Sequence, residues 1–491
     1  MSRFSRRQFL HESFFRASMT AAAAALAAGG HDPADAAAPR ERQEKSSPNE
    51  RVRIACVGVR GRGMDHVRGY LGQPDAEIVA VCDVDLGVTG KAVREIQERP
   101  PGKEVRVYQD IRKLLEDKEV DAVSLALPIP WHALASVWAM QAGKDVYCEK
   151  PVSHNVSEGR RMVEAAQKYG RICQAGTQAR SARATRDAIA YVHDGKIGKV
   201  TLARGLCYKR RDTIGVKPDG PVPEGVDYDL WLGPAPKRPF NPNRFHYNWH
   251  WMWDYGTGDL GNQGIHQMDI ARWALKKEGL PKSALAVGGR FGYEDQGETP
   301  NTLLAHYDYG DADLIFEVRG LSTQGEKGVN IGDIVYGSEG YVVFTSNYGS
   351  AAAFDRDGNK VADFRGGGSH FRNFLDAVRS RKTSDLNAPV AEGHLSSAVC
   401  HLGNVSYRLG EQVPFSDKKK RFGDDEEAYA TFARFSEHLG ASGVPLADAK
   451  YRVGRKLTVD AKKEDFGRDR AANALLTREY RTPFSVPSRI A

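Results

Sequence analysis

From Arg51 to Gly176 short β-rich runs alternate with amphipathic segments, and this alternation constrains the fold more than any other feature of the sequence. Strand-like runs lie at 51–58, 77–85, 105–109, 120–128, 144–151 and 171–176, and segments with helical spacing of apolar residues separate them. Regular βα repetition with connections this short builds a parallel, doubly wound sheet covered by helices on both faces. We place this α/β domain at residues 51–175.

After Gly176 the alternation ends. A helix at 183–193 leads into a strand at 200–208, and a stretch rich in Gly, Pro, Trp and Asn runs from about 210 to 257. Strand-like runs at 285–291, 301–309, 312–320 and 333–345 then follow one another without intervening helices, which is the pattern of an open, largely antiparallel sheet. The second domain, 176–410, is therefore read as α+β, with two late helices packing near the domain junction. Residues 411–491 are densely charged and weakly periodic, and are read as an extension that wraps the surface. With 491 residues, two domains plus tails are expected, because single cores stop growing near ~300 residues.

The N-terminus carries Ser5-Arg6-Arg7-Gln8-Phe9-Leu10, an Ala-rich apolar run and small residues at Ala36 to Ala38. This resembles a twin-arginine export signal over 1–38, followed by a linker at 39–50. The apolar run is short of the ~20 residues that span a bilayer, so no stable membrane span is expected after processing. Export in folded form, to the periplasm or another extracytoplasmic space, suits six cysteines (Cys56, Cys82, Cys148, Cys173, Cys207 and Cys400) that include no CxxC pair and mostly sit in or beside apolar runs. The net charge of +7 comes from interspersed signs, which argues for solvated surface and against a nucleic-acid partner.

Gly58-Val59-Arg60-Gly61-Arg62-Gly63 follows the first strand and opens a helix. Gly58 and Gly63 occupy the first and last positions of a dinucleotide fingerprint, Arg60 replaces its middle glycine and Gly61 is added. Such a turn brings backbone N–H groups to a pyrophosphate at a helix N-terminus. Asp83, twenty residues beyond Gly63 at the end of the second strand, is placed to accept from ribose hydroxyls and to repel a 2′-phosphate, favouring NAD over NADP. At the carboxyl edge of the fifth strand stands Glu149-Lys150-Pro151. Desolvation there should lower the lysine pKa and make Lys150 a proton acceptor.

Residues 258–269 read GDLGNQGIHQMD. A helix from about Leu260 puts Asn262, His266 and Asp269 at i, i+4 and i+7 on one face, a spacing open to metal binding, a proton relay or packing. A metal site would draw on His246 or His250, but the spacing fits no HExxH-like pair and none is expected. The aromatic residues Phe245, Tyr247, Trp249, Trp251, Trp253 and Tyr255 suit either core packing or a stacking surface for a sugar ring.

Taken in order, GVRGRG, AVCDVD, LPIPWH, CEKPVSHN, QAGTQARS, GKIGKV and GDLGNQGIHQMD make the chain resemble the Gfo/Idh/MocA family of sugar and inositol oxidoreductases, over about Arg51 to Gly410. The resemblance implies a carbohydrate substrate held between the two domains and a homo-oligomer formed through the second-domain sheet. It implies that Lys150 is the acid/base beside the substrate hydroxyl, His266 a second acid/base or orienting group, and Asp269 the carboxylate that follows that histidine. It places Pro128 and His132 near the nicotinamide half of NAD, with Gly58, Arg60, Gly61, Arg62, Gly63, Asp83, Glu149 and Lys150 completing the cofactor site. Many family members carry Asp where this chain has Asn262. An amide orients a hydroxyl but takes no proton, so either Lys150 and His266 work alone or Asp259 supplies the carboxylate. The resemblance also implies that 51–175 is a Rossmann dinucleotide-binding domain. The reading is an NAD-dependent oxidoreductase acting on a hydroxyl of a sugar, cyclitol or glycoside with NAD tightly held; the alternatives are redox-neutral NAD-dependent glycoside cleavage and a non-catalytic sugar-binding protein.

Overall fold

A computed structural model describes residues 51–99, 104–417 and 421–490. The twin-arginine segment and the linker after it lie outside the described residues. Within 52–175 the elements run β1 (Val52–Val57), α1 (Arg62–Leu71), β2 (Ala76–Cys82), α2 (Leu86–Gln97), β3 (Arg106–Tyr108), α3 (Ile111–Glu116), β4 (Ala122–Leu125), α4 (Ile129–Gln141), β5 (Asp145–Cys148), α5 (Val156–Tyr169) and β6 (Cys173–Ala175). The sheet order is β3-β2-β1-β4-β5-β6 and every pair is parallel. The central strands read as unbroken apolar runs because both faces are covered: Ile54, Ala55, Ala122, Val123 and Val146 are all buried. Asp85, Asp110 and Asn155 cap α2, α3 and α5 by accepting from Gly87, Arg112 and Glu158 N–H, which fixes where each helix starts. Strand order reverses between β1 and β4, opening a crevice at their carboxyl ends.

The second domain begins with α6 (Arg183–His193) and β7 (Val200–Cys207). After the irregular excursion, which holds only α7 (Tyr228–Leu232) and a 3₁₀ turn at Asn248–Trp251, come α8 (Gly258–Gly261) and α9 (Gly264–Ala274). The strands are β8 (Ser283–Gly289), β9 (Thr302–Asp308), β10 (Asp313–Arg319), β11 (Ile331–Gly337), β12 (Gly340–Thr345), β13 (Ser350–Asp355) and β14 (Lys360–Arg365), followed by α10 (His370–Ser380) and α11 (Val390–Arg408). All pairs are antiparallel except β7 with β10. Helix α9 packs on β7, β10 and β11, and α11 lies against α9, α5 and β8 at the junction of the domains. Phe371 and Phe374 of α10 return to the first domain and bury against Ile54 and Tyr70.

The extension is more integrated than its composition suggests. β15 (Glu411–Pro414) and β16 (Lys450–Val453) join the second sheet beside β8, and the two-residue β17 (Leu457–Thr458) pairs with it. Between them α12 (Glu426–Ala441) lays Ala428, Phe435 and Leu439 on Leu285, Val287, Leu304 and Ile315, so the chain covers part of the sheet face expected to meet a second copy. The last segment, which includes α13 (Arg470–Asn473), crosses back to the first domain. There Phe484 packs on Trp131 with ring centroids 5.4 Å apart, and Tyr480 Oη donates to Glu158 Oε1 at 3.2 Å. Among the described residues, no helix is long and apolar enough to cross a membrane.

One expectation fails here. The helix read as continuous from Leu260 is broken at Asn262 and Gln263, because glycines at 258, 261 and 264 weaken it and Gly258 adopts φ +64°. In an unbroken helix His266 N–H would bond the Asn262 carbonyl; here it goes to Gln263 O at 3.2 Å, and the Asn262 carbonyl is freed.

Candidate active site

The crevice at the carboxyl edge of the parallel sheet opens into a cavity of about 410 Å³ that both domains line. Its first wall is the glycine-rich turn. Gly58 takes φ +77°, and a Cβ there would sit 2.4 Å from Ala126 O; at Gly63 it would sit 1.7 Å from Gly58 O, so the turn admits neither side chain. Gly61, at φ +51°, has nothing within 4 Å of such a Cβ, and no side chain caps α1. The helix N-terminus therefore faces open space, as an anion at that end requires. Asp83 stands beside it. Its Oδ2 accepts from Val59 N–H at 2.9 Å and its Oδ1 from Asp85 N–H at 3.0 Å, leaving a lone pair on each oxygen for a ribose hydroxyl. Burial pushes its pKa up to about 6. The donor set fits a dinucleotide.

The floor comes from the loops after β4 and β5. Pro128 starts α4, and His132 places Nδ1 2.7 Å from Pro151 O and Nε2 2.8 Å from Leu127 O, tying the two loops together. Glu149 is not free for proton transfer. Arg62 Nε donates to its Oε1 at 2.8 Å, His66 Nε2 lies 3.1 Å from the same oxygen, and Lys150 N–H donates to Oε2. Burial alone would raise this carboxyl, but Arg62, His66 and Lys150 hold it well below the usual range.

Lys150 lies between the domains. Its Nζ donates to the freed Asn262 carbonyl at 2.9 Å and to Asn262 Oδ1 at 3.4 Å. Desolvation brings the amine down to about 8, with Glu149 opposing the shift and Arg62 adding to it. His266 is buried beside the same space, and its Nδ1 has no partner among the described residues. Burial, with Lys150 nearby, holds its pKa well below the ordinary value, so the ring is neutral. A weakened amine, a neutral imidazole and the Asn262 amide thus line one cavity.

Asp269 does not join them. It is 0 % exposed, receives Arg180 Nε at 2.8 Å and Nη2 at 2.9 Å and Ser396 Oγ at 2.7 Å, and points into the protein interior. Asn262 and His266 still share the cavity across the helix break, whereas Asp269, on the same helix as His266, does not line it. Asp259 is equally committed: Arg211 grips both its oxygens at 2.9 and 2.7 Å. Among the described residues that line the cavity, the carboxylates are Asp83 and Glu149.

The aromatic loop divides between its two readings. Trp251 and Tyr255 are buried, Phe245 packs on Trp231 and Trp253 on Tyr407, whereas Trp249 and the half-exposed Tyr247 line the cavity. Sequence reasoning gave no role to Gln178, which also lines it; the segment QAGTQARS held the signal. His246, His250 and His266 line the cavity, but with Asp269 they do not form a group with metal-like spacing. Among the described residues the group with metal-like spacing is His306, Asp313 and Asp425, none of which lines the cavity.

Residues 52–177 match the oxidoreductase family's NAD-binding Rossmann fold, and residues 207–436 match the same family's C-terminal alpha/beta domain. The chain belongs to the Gfo/Idh/MocA oxidoreductase family, and its first domain is an NAD-binding domain. A glycosyl hydrolase family 109 protein of Saccharopolyspora erythraea is 30% identical over 160 residues, 32% of this chain and 35% of that protein. An inositol 2-dehydrogenase of Salmonella typhimurium is 31% identical over 159 residues, 32% of this chain and 46% of that protein. Both matches span less than half of the relative. The WlbA dehydrogenase from Bordetella pertussis, solved with NADH and UDP-GlcNAcA, shares the fold with a TM-score of 0.54 at 18% identity, over 73% of this chain and 97% of that one. Levoglucosan dehydrogenase in complex with NADH and levoglucosan does so with a TM-score of 0.54 at 17% identity, over 72% of this chain and 96% of that one.

Proposed function

We propose that the protein is an NAD-dependent oxidoreductase acting on a hydroxyl of a sugar, cyclitol or glycoside, with NAD tightly held. The observation that carries this reading is that Lys150 and His266 line the same cavity as the glycine-rich turn and Asp83. NAD, when bound, supplies a two-electron acceptor. Lys150, whose neutral form grows as pH rises through its lowered pKa of about 8, takes the hydroxyl proton as the carbinol carbon is oxidised. His266 and the Asn262 amide orient that hydroxyl, and Trp249 and Tyr247 offer apolar faces with polar edges to the ring. Inositol 2-dehydrogenase and levoglucosan dehydrogenase support this substrate class by similarity.

A second reading, redox-neutral glycoside cleavage through transient oxidation and elimination, is favoured by the glycosyl hydrolase family 109 relative. The site supports it against ordinary two-carboxylate hydrolysis, since Glu149, Asp259 and Asp269 are each held by an arginine. A sugar-binding protein without catalysis is the third reading, and it gives no reason for a depressed lysine.

The test is to release nucleotide from purified protein by denaturation, then offer native protein free sugars and aryl glycosides. Net NADH from a free sugar supports the dehydrogenase, and glycoside cleavage without net NADH supports the second reading. Failure to bind NAD sinks both. We propose in addition that the Arg6-Arg7 segment exports the folded protein; a double Lys substitution there should retain it in the cytoplasm. Self-association is proposed through β11–β13, where the part-buried Tyr336, Tyr341 and Phe354 lie outside the face under α12; sedimentation tests it.

A further inference from the structure

The departure from the dinucleotide fingerprint at Arg60 has a structural counterpart on the opposite wall. Arg60 Nη1 donates to His246 O at 2.7 Å, across the mouth of the cavity that both residues line. The imidazole of the same His246 turns toward the first domain, with Nε2 2.7 Å from Asp85 Oδ2. Asp85 holds that position firmly, because its other oxygen caps α2 by accepting from Gly87 N–H at 2.9 Å. Two chain segments that flank the glycine-rich cleft are thus joined through one residue of the excursion.

His246 is held against its own preference. It adopts φ +72°, a left-handed conformation that a non-glycine residue keeps only where surrounding contacts impose it. Phe245 before it is anchored in the excursion's aromatic cluster against Trp231, Phe240 and Tyr228, so the reversal at His246 aims its ring and carbonyl at Asp85 and Arg60. Twenty residues earlier the excursion is pinned to the same corner of the first domain. Leu86 N–H donates to Gly225 O at 3.1 Å, Asp227 N–H to Val84 O at 2.9 Å and Gln109 Nε2 to Gly225 O at 3.2 Å. The glycine-rich turn and Asp83 line the same cavity as Arg60 and His246, so a nucleotide held by the turn and Asp83 would share it with them.

We infer that Arg60, His246 and Asp85 form a latch over the ribose end of the cleft, so that bound NAD is a retained group whose release waits for the latch to open. The inference rests on NAD binding and deepens the tight-cofactor part of the proposed function. Arg60 then stands where a glycine is usual because its side chain closes the roof while its backbone still forms the turn.

The test is the dissociation rate of labelled NAD from full-length holoprotein, chased with excess unlabelled NAD. His246→Gly accepts the backbone conformation but removes the imidazole, and Arg60→Gly restores the fingerprint but removes the guanidinium. Each should release NAD about tenfold faster or more, as loss of a hydrogen bond to a charged group implies, with the double variant little faster than the quicker single one. His246→Gln, which keeps a donor toward Asp85, should fall between wild type and His246→Gly, and it stands in should the glycine variant fold poorly. Release from Arg60→Gly and from the His246 variants at the wild-type rate overturns the latch, whatever the protein does with sugars. Conversely, slow latch-dependent release from a protein that oxidises nothing leaves the latch standing and overturns the oxidoreductase reading.

Discussion

The two walls of the cavity are built by different means. The cofactor wall is made of the ends of regular elements: the turn after β1, Asp83 after β2, Pro128 after β4 and Lys150 after β5. Each position follows from where a strand stops, and the sheet holds them in register. The substrate wall is made of an irregular excursion and a broken helix, where Trp249, Asn262 and His266 are placed by side-chain bonds and by three glycines. A site assembled this way gains a freed carbonyl for Lys150, and depends on contacts far apart in sequence.

Lys150→Met gives the largest effect expected: turnover falls about 10²–10⁴-fold, while NAD binding measured by fluorescence is kept, because the side chain is asked to transfer a proton and not to hold the nucleotide. Undiminished turnover would remove Lys150 from the chemistry. Asp269→Ala tests the other end of α9. It strands Arg180 and should cost about 3 kcal/mol in urea denaturation, softened by Glu392, which also receives Arg180; intact stability with lost substrate binding would return Asp269 to the site. Asp83→Ala should narrow the preference for NAD over NADP by about tenfold, read as the ratio of the two dissociation constants. Trp249→Ala is the mildest, raising KM a few-fold with kcat nearly kept, as loss of one aromatic face implies. A drop in kcat instead would place Trp249 in the catalytic geometry.

What was legible in the sequence follows the same division. The strands of the first domain, the helix at 183–193 and the antiparallel run of 301–345 could be read because period and punctuation agree there. Asp83 and Lys150 could be read because they sit at strand ends. The polar face of residues 262–269 could be read only in part: Asn262 and His266 line the cavity, but Arg180, the partner that holds Asp269 inward, lies 89 residues upstream. The aromatic loop was left between core and sugar platform; Trp251 and Tyr255 are buried in packing, and Trp249 and Tyr247 line the cavity. Composition hid α12, whose charged exterior covers a face that packs Phe435 and Leu439.

The most direct test of the account is the rate at which bound NAD is reduced in a single turnover by a reacting sugar or glycoside, followed across pH. Lys150 must be neutral to act, and its pKa near 8 lies below the usual lysine value of 10.5, so the rate should rise through the neutral range and level above about pH 8. That limb should vanish in Lys150→Met. A rate indifferent to pH across this range, or the same limb persisting without Lys150, would contradict the assignment of Lys150 as the proton acceptor.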